Sequence, residues 1–194
     1  MNIDKIKKLE DLNKELSKLQ QQRNRNFEKA KVNFFENNIQ KFKDFFIKQG
    51  FAVTESSKVD REGYNNKVIS AIYNNFKIDV AIPPIDISYM GAYSVWELNV
   101  YKDDVKYSLM VNELGHKPSI RTSFTSSINK TLTEDEKMEN EIIETKETIT
   151  MLKEELESNE KTDFGFTLVK EEKERKFCDT QFKSMNDLLK TLFN

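Results

Sequence analysis

Neither glycine nor proline occurs before Gly50, and that absence constrains the chain more than any other feature. An opening rich in Lys, Glu, Leu and Gln, all good helix formers, predicts one helix from about Ile3 to Gln49. Gly50 supplies the left-handed residue that ends it. Leu9, Leu12, Leu16 and Leu19 recur at spacings of three, four and three, a seam too narrow for a sheet and suited to another helix. The seam breaks over the polar run from Gln20 to Asn26. It resumes with Phe27, Ala30 and Phe34, and again with Phe35, Ile39, Phe42 and Phe46. The gap predicts a helical arm over 1–26 and an α+β domain over 27–194.

A second helix is predicted over about 134–159. Thr133-Glu134-Asp135-Glu136 is a capping box, in which the threonine oxygen accepts from the amide of Glu136 and that glutamate reaches back. Met138, Ile142, Thr145, Ile149, Leu152 and Leu156 follow at a heptad spacing. Residues 1–49 carry 12 Lys+Arg against 7 Asp+Glu, and residues 133–159 carry 3 against 10. Opposite charge and matching seams predict that the two helices pair antiparallel as a coiled coil, within one chain or between two.

Strand patterns lie between them, over about 51–124. Phe76, Ile78, Val80 and Ile82 alternate with Lys77, Asp79 and Ala81, and Pro83-Pro84 ends the run. Ser94, Trp96, Leu98 and Val100 form one face of the next run, Val105 to Val111 follows Asp103-Asp104, and Ile120, Thr122 and Phe124 close the series. Phe51 to Ser56 reads as a further strand, and Val68 to Tyr73 as a strand joined through Asn74-Asn75, with a short helix as the alternative. A strand over 164–169 and a helix over 179–193, carrying Phe182, Met185, Leu189 and Leu192, complete the expectation. The fold class is α+β: an antiparallel sheet flanked by two long helices, with a short C-terminal strand and helix.

Composition narrows the chemistry. A net charge of −2 gives no global field toward nucleic acid or an anionic membrane. Charged residues at the N-terminus and the lack of a long apolar run predict no signal peptide, no membrane contact and a cytoplasmic location. Cys178 and His116 are each the sole residue of their type, so no internal disulfide or Cys/His metal cluster can form. Lysine far exceeds arginine and Asn, Ile and Phe abound, as in AT-rich coding sequence of a low-GC bacterium or its phage.

Asp79 and Glu97-Leu98-Asn99 on neighbouring strands resemble the PD-D/ExK nuclease core. The resemblance implies a Mg²⁺ site made of two carboxylates, but Asn99 stands where the family has the lysine that orients water. Two solvent-facing carboxylates on alternating strands explain the same residues. Asp163-Phe164-Gly165 spells a kinase metal-binding triplet without the glycine-rich loop or HRD segment that must accompany it. Cys178, placed just before a helix, has no base nearby, and His116 lies in a polar turn. No catalytic residue, cofactor or metal ligand is assigned.

Arg23, Arg25, Lys29 and Lys31 are candidate phosphate contacts, with Tyr93, Tyr101 and Tyr107 as candidate stacking surfaces. The glutamates of the second helix suit either a solvated face or an imitation of a nucleic-acid backbone. The expectation is a non-enzymatic protein-binding or assembly module, such as a phage or mobile-element protein that inhibits host machinery. It would act on a protein partner or a second copy through Leu9, Leu12, Leu16, Leu19, Met138, Ile142, Ile149, Leu152 and Leu156. The alternatives are nucleic-acid binding through the basic helix and a degenerate nuclease-like domain.

Overall fold

The computed structural model describes residues 3–88, 92–101, 105–114, 133–157, 162–170 and 177–193. The fold is α+β, with helices α1 (Ile3–Lys48), α2 (Glu134–Glu157) and α3 (Met185–Phe193). The strands are β1 (Ala52–Val59), β2 (Asn65–Tyr73), β3 (Phe76–Ile82), β4 (Ser94–Val100), β5 (Val105–Glu113), β6 (Phe164–Lys170) and β7 (Phe177–Phe182). They form one seven-stranded sheet in chain order, with each neighbouring pair antiparallel. The expected strand at Ile120 to Phe124 lies outside the described residues.

Two compact units divide the chain: residues 1–30 with 116–162, and residues 31–115 with 163–194. The acidic helix α2 therefore groups with the arm, not with the sheet as the 26/27 boundary has it. The reason is visible where β5 hands over to β6. The Leu114 amide donates to the Asp163 carbonyl at 2.7 Å, so the chain leaves the sheet and rejoins it at adjacent points. Residues 115–162, α2 included, are an insertion in the position of a hairpin turn.

In the sheet unit, the second half of α1 lies on one sheet face because its aromatic residues recur at helical spacing. Phe35, Phe42 and Phe46 are buried. Phe35 stacks on Trp96, with centroids 5.1 Å apart and planes at 16°, and Phe166 meets the same indole edge-on at 5.2 Å. Ile69, Ile78, Val80, Leu98, Leu109 and Val111 complete the covered face. The alternation read from β4 is the alternation found, with every second residue buried, whereas in β3 Asp79 is buried together with Ile78 and Val80. Ser94 Oγ and Trp96 Nε1, both fully buried, have no hydrogen-bond partner among the described residues.

Gly50 ends α1 as expected, at φ 83°. The Phe51 amide donates to the Phe46 carbonyl and the Gly50 amide to that of Ile47, at 3.0 Å each, and the two phenyl rings meet at 5.1 Å. This is a Schellman cap with its hydrophobic contact.

The last helix starts later than the 179–193 reading. Phe182 belongs to β7, where it pairs with Phe166 of β6, and the helix begins only at Met185. A cap decides the boundary. The Ser184 hydroxyl donates to Asp187 Oδ2 at 2.7 Å and accepts the Asp187 amide at 3.4 Å. Cys178 accordingly sits within β7, not ahead of a helix.

One buried polar residue on α1 joins the two helices of this unit. Asn38 donates from Nδ2 to the Phe34 carbonyl at 2.8 Å and accepts the Met185 amide on Oδ1 at 2.7 Å. It satisfies an amide that the first turn of α3 leaves without a helical partner. Asn38→Ala is expected to cost about 1–3 kcal/mol, because the Met185 amide stays buried without an acceptor. Urea unfolding followed by Trp96 fluorescence measures this, and an unchanged midpoint would rule the role out.

Candidate interaction surfaces

In the helical unit, α1 and α2 are joined by Lys5–Glu139 at 2.9 Å, Glu15–Lys153 at 2.6 Å and Arg23–Glu155 at 2.7 Å. Residue numbers rise together along both helices, so the pair is parallel. The expected antiparallel arrangement does not form. Opposite charge and matching seams are satisfied in either direction, so neither fixes the orientation.

The capping box at the start of α2 is present, with the Thr133 amide donating to Glu136 Oε2 at 2.8 Å and the Glu136 amide to Thr133 Oγ1 at 3.3 Å. The Thr133 amide and hydroxyl hold the Glu136 carboxyl below its ordinary pKa. On α2, Ile142, Thr145, Ile149 and Leu152 are buried, and Met138 and Leu156 half-buried. Leu9, Leu12, Leu16 and Leu19 of α1 are all only half-buried. Ile143 of α2 is 50% exposed.

The basic residues do not form a common face. Arg23 is committed to Glu155, and Lys31 is only 5% exposed. Arg25 and Lys29 are exposed, with no ion pair among the described residues. The tyrosines are also engaged: Tyr93 packs edge-on against Phe164 at 5.6 Å, Tyr101 donates to Asp79, and Tyr107 is half-buried.

Asp79 and Glu97 do share the sheet face opposite the helix-covered one. Asp79 is paired across the strands with Asn99, and Glu97 with Ala81. Their environments differ from the expectation of two solvated carboxylates. Asp79 is only 5% exposed; its Oδ2 accepts from the Lys77 ammonium and the Tyr101 hydroxyl at 2.9 Å each, and its Oδ1 has no partner. The hydrogen bond to Asp79 raises the Lys77 pKa; burial, then the same carboxylate, raise that of Tyr101. Glu97 is half-buried and pairs with Lys106 at 2.9 Å. With every strand pair antiparallel, the sheet also lacks the mixed topology of the PD-D/ExK core. Among the described residues no group of three or more His, Cys, Asp or Glu is arranged to hold a metal.

Gly165 of the kinase-like triplet has a packing reason instead. A Cβ there would lie 2.8 Å from the Phe182 carbonyl oxygen and 2.6 Å from Leu114 Cδ2. His116 and the Cys178 side chain lie outside the described residues.

An ion-pair cluster ties α1 to the edge strand of the sheet unit. Glu55 of β1 takes Lys43 of α1 on Oε1 and Lys67 of β2 on Oε2, the latter at 2.7 Å. Those ammoniums, Lys43 first, hold its carboxyl below the ordinary glutamate value. A depressed folded pKa gives stability that is present above the unfolded value and lost as pH falls through the folded one. The urea midpoint of the wild type should therefore fall more than that of Glu55→Gln between about pH 6 and 3. Parallel acid limbs for the two proteins would remove Glu55 from the account.

Comparison with models of known protein families, with curated proteins and with solved structures gives no match. Among the described residues no helix is long and apolar enough to cross a membrane.

Proposed function

We propose that this chain is a non-enzymatic protein-binding or assembly module that works through its two-helix unit. The observation that carries the reading is the asymmetry of the helix pair. With α2 already paired, Leu9, Leu12, Leu16 and Leu19 of α1 keep solvent-exposed surface, and Ile143 adds an apolar side chain on α2. A row of half-covered leucines beside a formed helix pair suits a third amphipathic helix, from a protein partner or a second copy of this chain.

Ile143→Asp tests this without entering the buried seam, and Leu12→Asp with Leu16→Asp tests the leucine row itself. Light scattering and cross-linking should give a dimer, or a stoichiometric complex with one captured partner, that both variants lose while Ile143→Asp keeps its helical circular dichroism. A wild type that is monomeric and captures nothing, or an assembly indifferent to both variants, overturns the reading.

Nucleic-acid binding through the basic helix is the second reading, supported by exposed Arg25 and Lys29. Binding of this kind falls steeply with salt and would be lost in Arg23→Glu with Arg25→Glu. The ten acidic residues of the neighbouring α2 make it the weaker of the two.

A further inference from the structure

We infer that the sheet unit carries an anion site, distinct from the helical surfaces above, which takes a phosphate group borne on a nucleotide. The site is a groove of about 430 Å³ between the last turns of α1 and one side of α3. That volume lies within the ~300–1,000 Å³ of small-molecule sites.

Three lysines line the groove, Lys41 and Lys48 on α1 and Lys190 on α3. Each side chain is exposed, and none has a hydrogen-bond or ion-pair partner among the described residues, in contrast to Lys43, which lies between Lys41 and Asp44 in sequence but pairs with Glu55. The single carboxylate of the lining, Asp44, accepts from Gln40 Nε2 at 2.7 Å. The groove thus holds an excess of two positive charges, which suits a dianionic phosphate.

The rest of the lining favours more than a bare ion. Phe45 is half-buried and offers an aromatic surface, and the Gln49 and Asn186 side chains each provide an amide with both donors and an acceptor. An apolar platform with neutral amides beside clustered ammoniums matches a heterocycle attached to a phosphate. The pattern was hidden in sequence because Lys41, Phe45 and Lys48 on α1 meet Asn186 and Lys190 on α3 only after α3 docks, which Asn38 secures.

Fluorescence polarisation with labelled ADP and with a labelled single-stranded oligonucleotide, at low and moderate salt, tests the assignment. Binding of either probe should weaken at least tenfold in Lys48→Glu with Lys190→Glu and persist in Arg23→Glu with Arg25→Glu. Preference for ADP identifies a free nucleotide as the source of the phosphate, and preference for the oligonucleotide identifies a strand. Circular dichroism melts of both variants check that folding is kept, as expected for exposed, unpaired lysines. No binding of either probe by the wild type, or binding that depends on Arg23 and Arg25 but not on the groove lysines, overturns the site. Neither result bears on assembly through the helical unit, which Ile143→Asp reports separately.

Discussion

Phe42→Ala should lower the stability of the sheet unit by about 3–5 kcal/mol, the largest loss expected from one truncation in this chain. Phe42 has no exposed surface and sits 4.9 Å from the ring of Phe46, in the row of aromatics that seats α1 on the sheet. Removing the ring forfeits its transfer free energy and leaves a space that a helix anchored on both sides, at Phe35 and Phe46, cannot close. Trp96 is the only tryptophan and lies fully buried in this core, so its emission follows the unit directly. The urea midpoint of that emission should drop sharply. A shift equivalent to less than about 1 kcal/mol would mean that the helix does not rest on this ring.

Ile149→Asp should act elsewhere and differently. Ile149 is 5% exposed in the α2 seam, and a carboxylate there is buried without a partner, at a cost of about 3 kcal/mol or more. Most helical stability in proteins comes from packing of the apolar face rather than from propensity. The variant should therefore lose part of its helical signal at 222 nm while Trp96 emission keeps its native position. Surface ion pairs such as Arg23–Glu155, both half-exposed, contribute too little to rescue the pair. Loss of both signals together would make the chain one cooperative block, and loss of neither would deny the seam any part in holding α2.

Local chemistry was the legible part of the sequence. The Gly50 stop, the Thr133 and Glu136 box and the alternation around Trp96 each depend on residues a few positions apart, and each stands as read. The direction of the helix pair did not, because matched seams and opposite charge are satisfied equally by either orientation. The start of α3 was misread for a related reason: Phe182 fits a helical spacing from Met185, and only the pairing of β7 with β6 assigns it to a strand.

Site residues divide in the same way. Asp79 and Glu97 were placed on one face by alternation alone, but the burial of Asp79 under Lys77 and Tyr101 requires β3 and the residue after β4 to be brought together. Asn38 could have been noticed as a polar interruption between Phe35 and Phe42 on a buried face. Its partner, the Met185 amide, is 147 residues away and has no signature.

The placement of residues 115–162 between two paired strands also sets an order of events for a chain emerging from the ribosome. The hairpin of β2 and β3 closes over Asn74-Asn75, whereas joining β5 to β6 must close a loop roughly four doublings longer, at an added entropic cost of about 2–3 kcal/mol. Strands β1 to β5 can assemble under α1 as soon as they are made. Phe166 arrives only after the whole acidic helix has been synthesised, and until then the Trp96 indole lacks its edge-on neighbour. Completion of the sheet is therefore a late, non-local step for this chain.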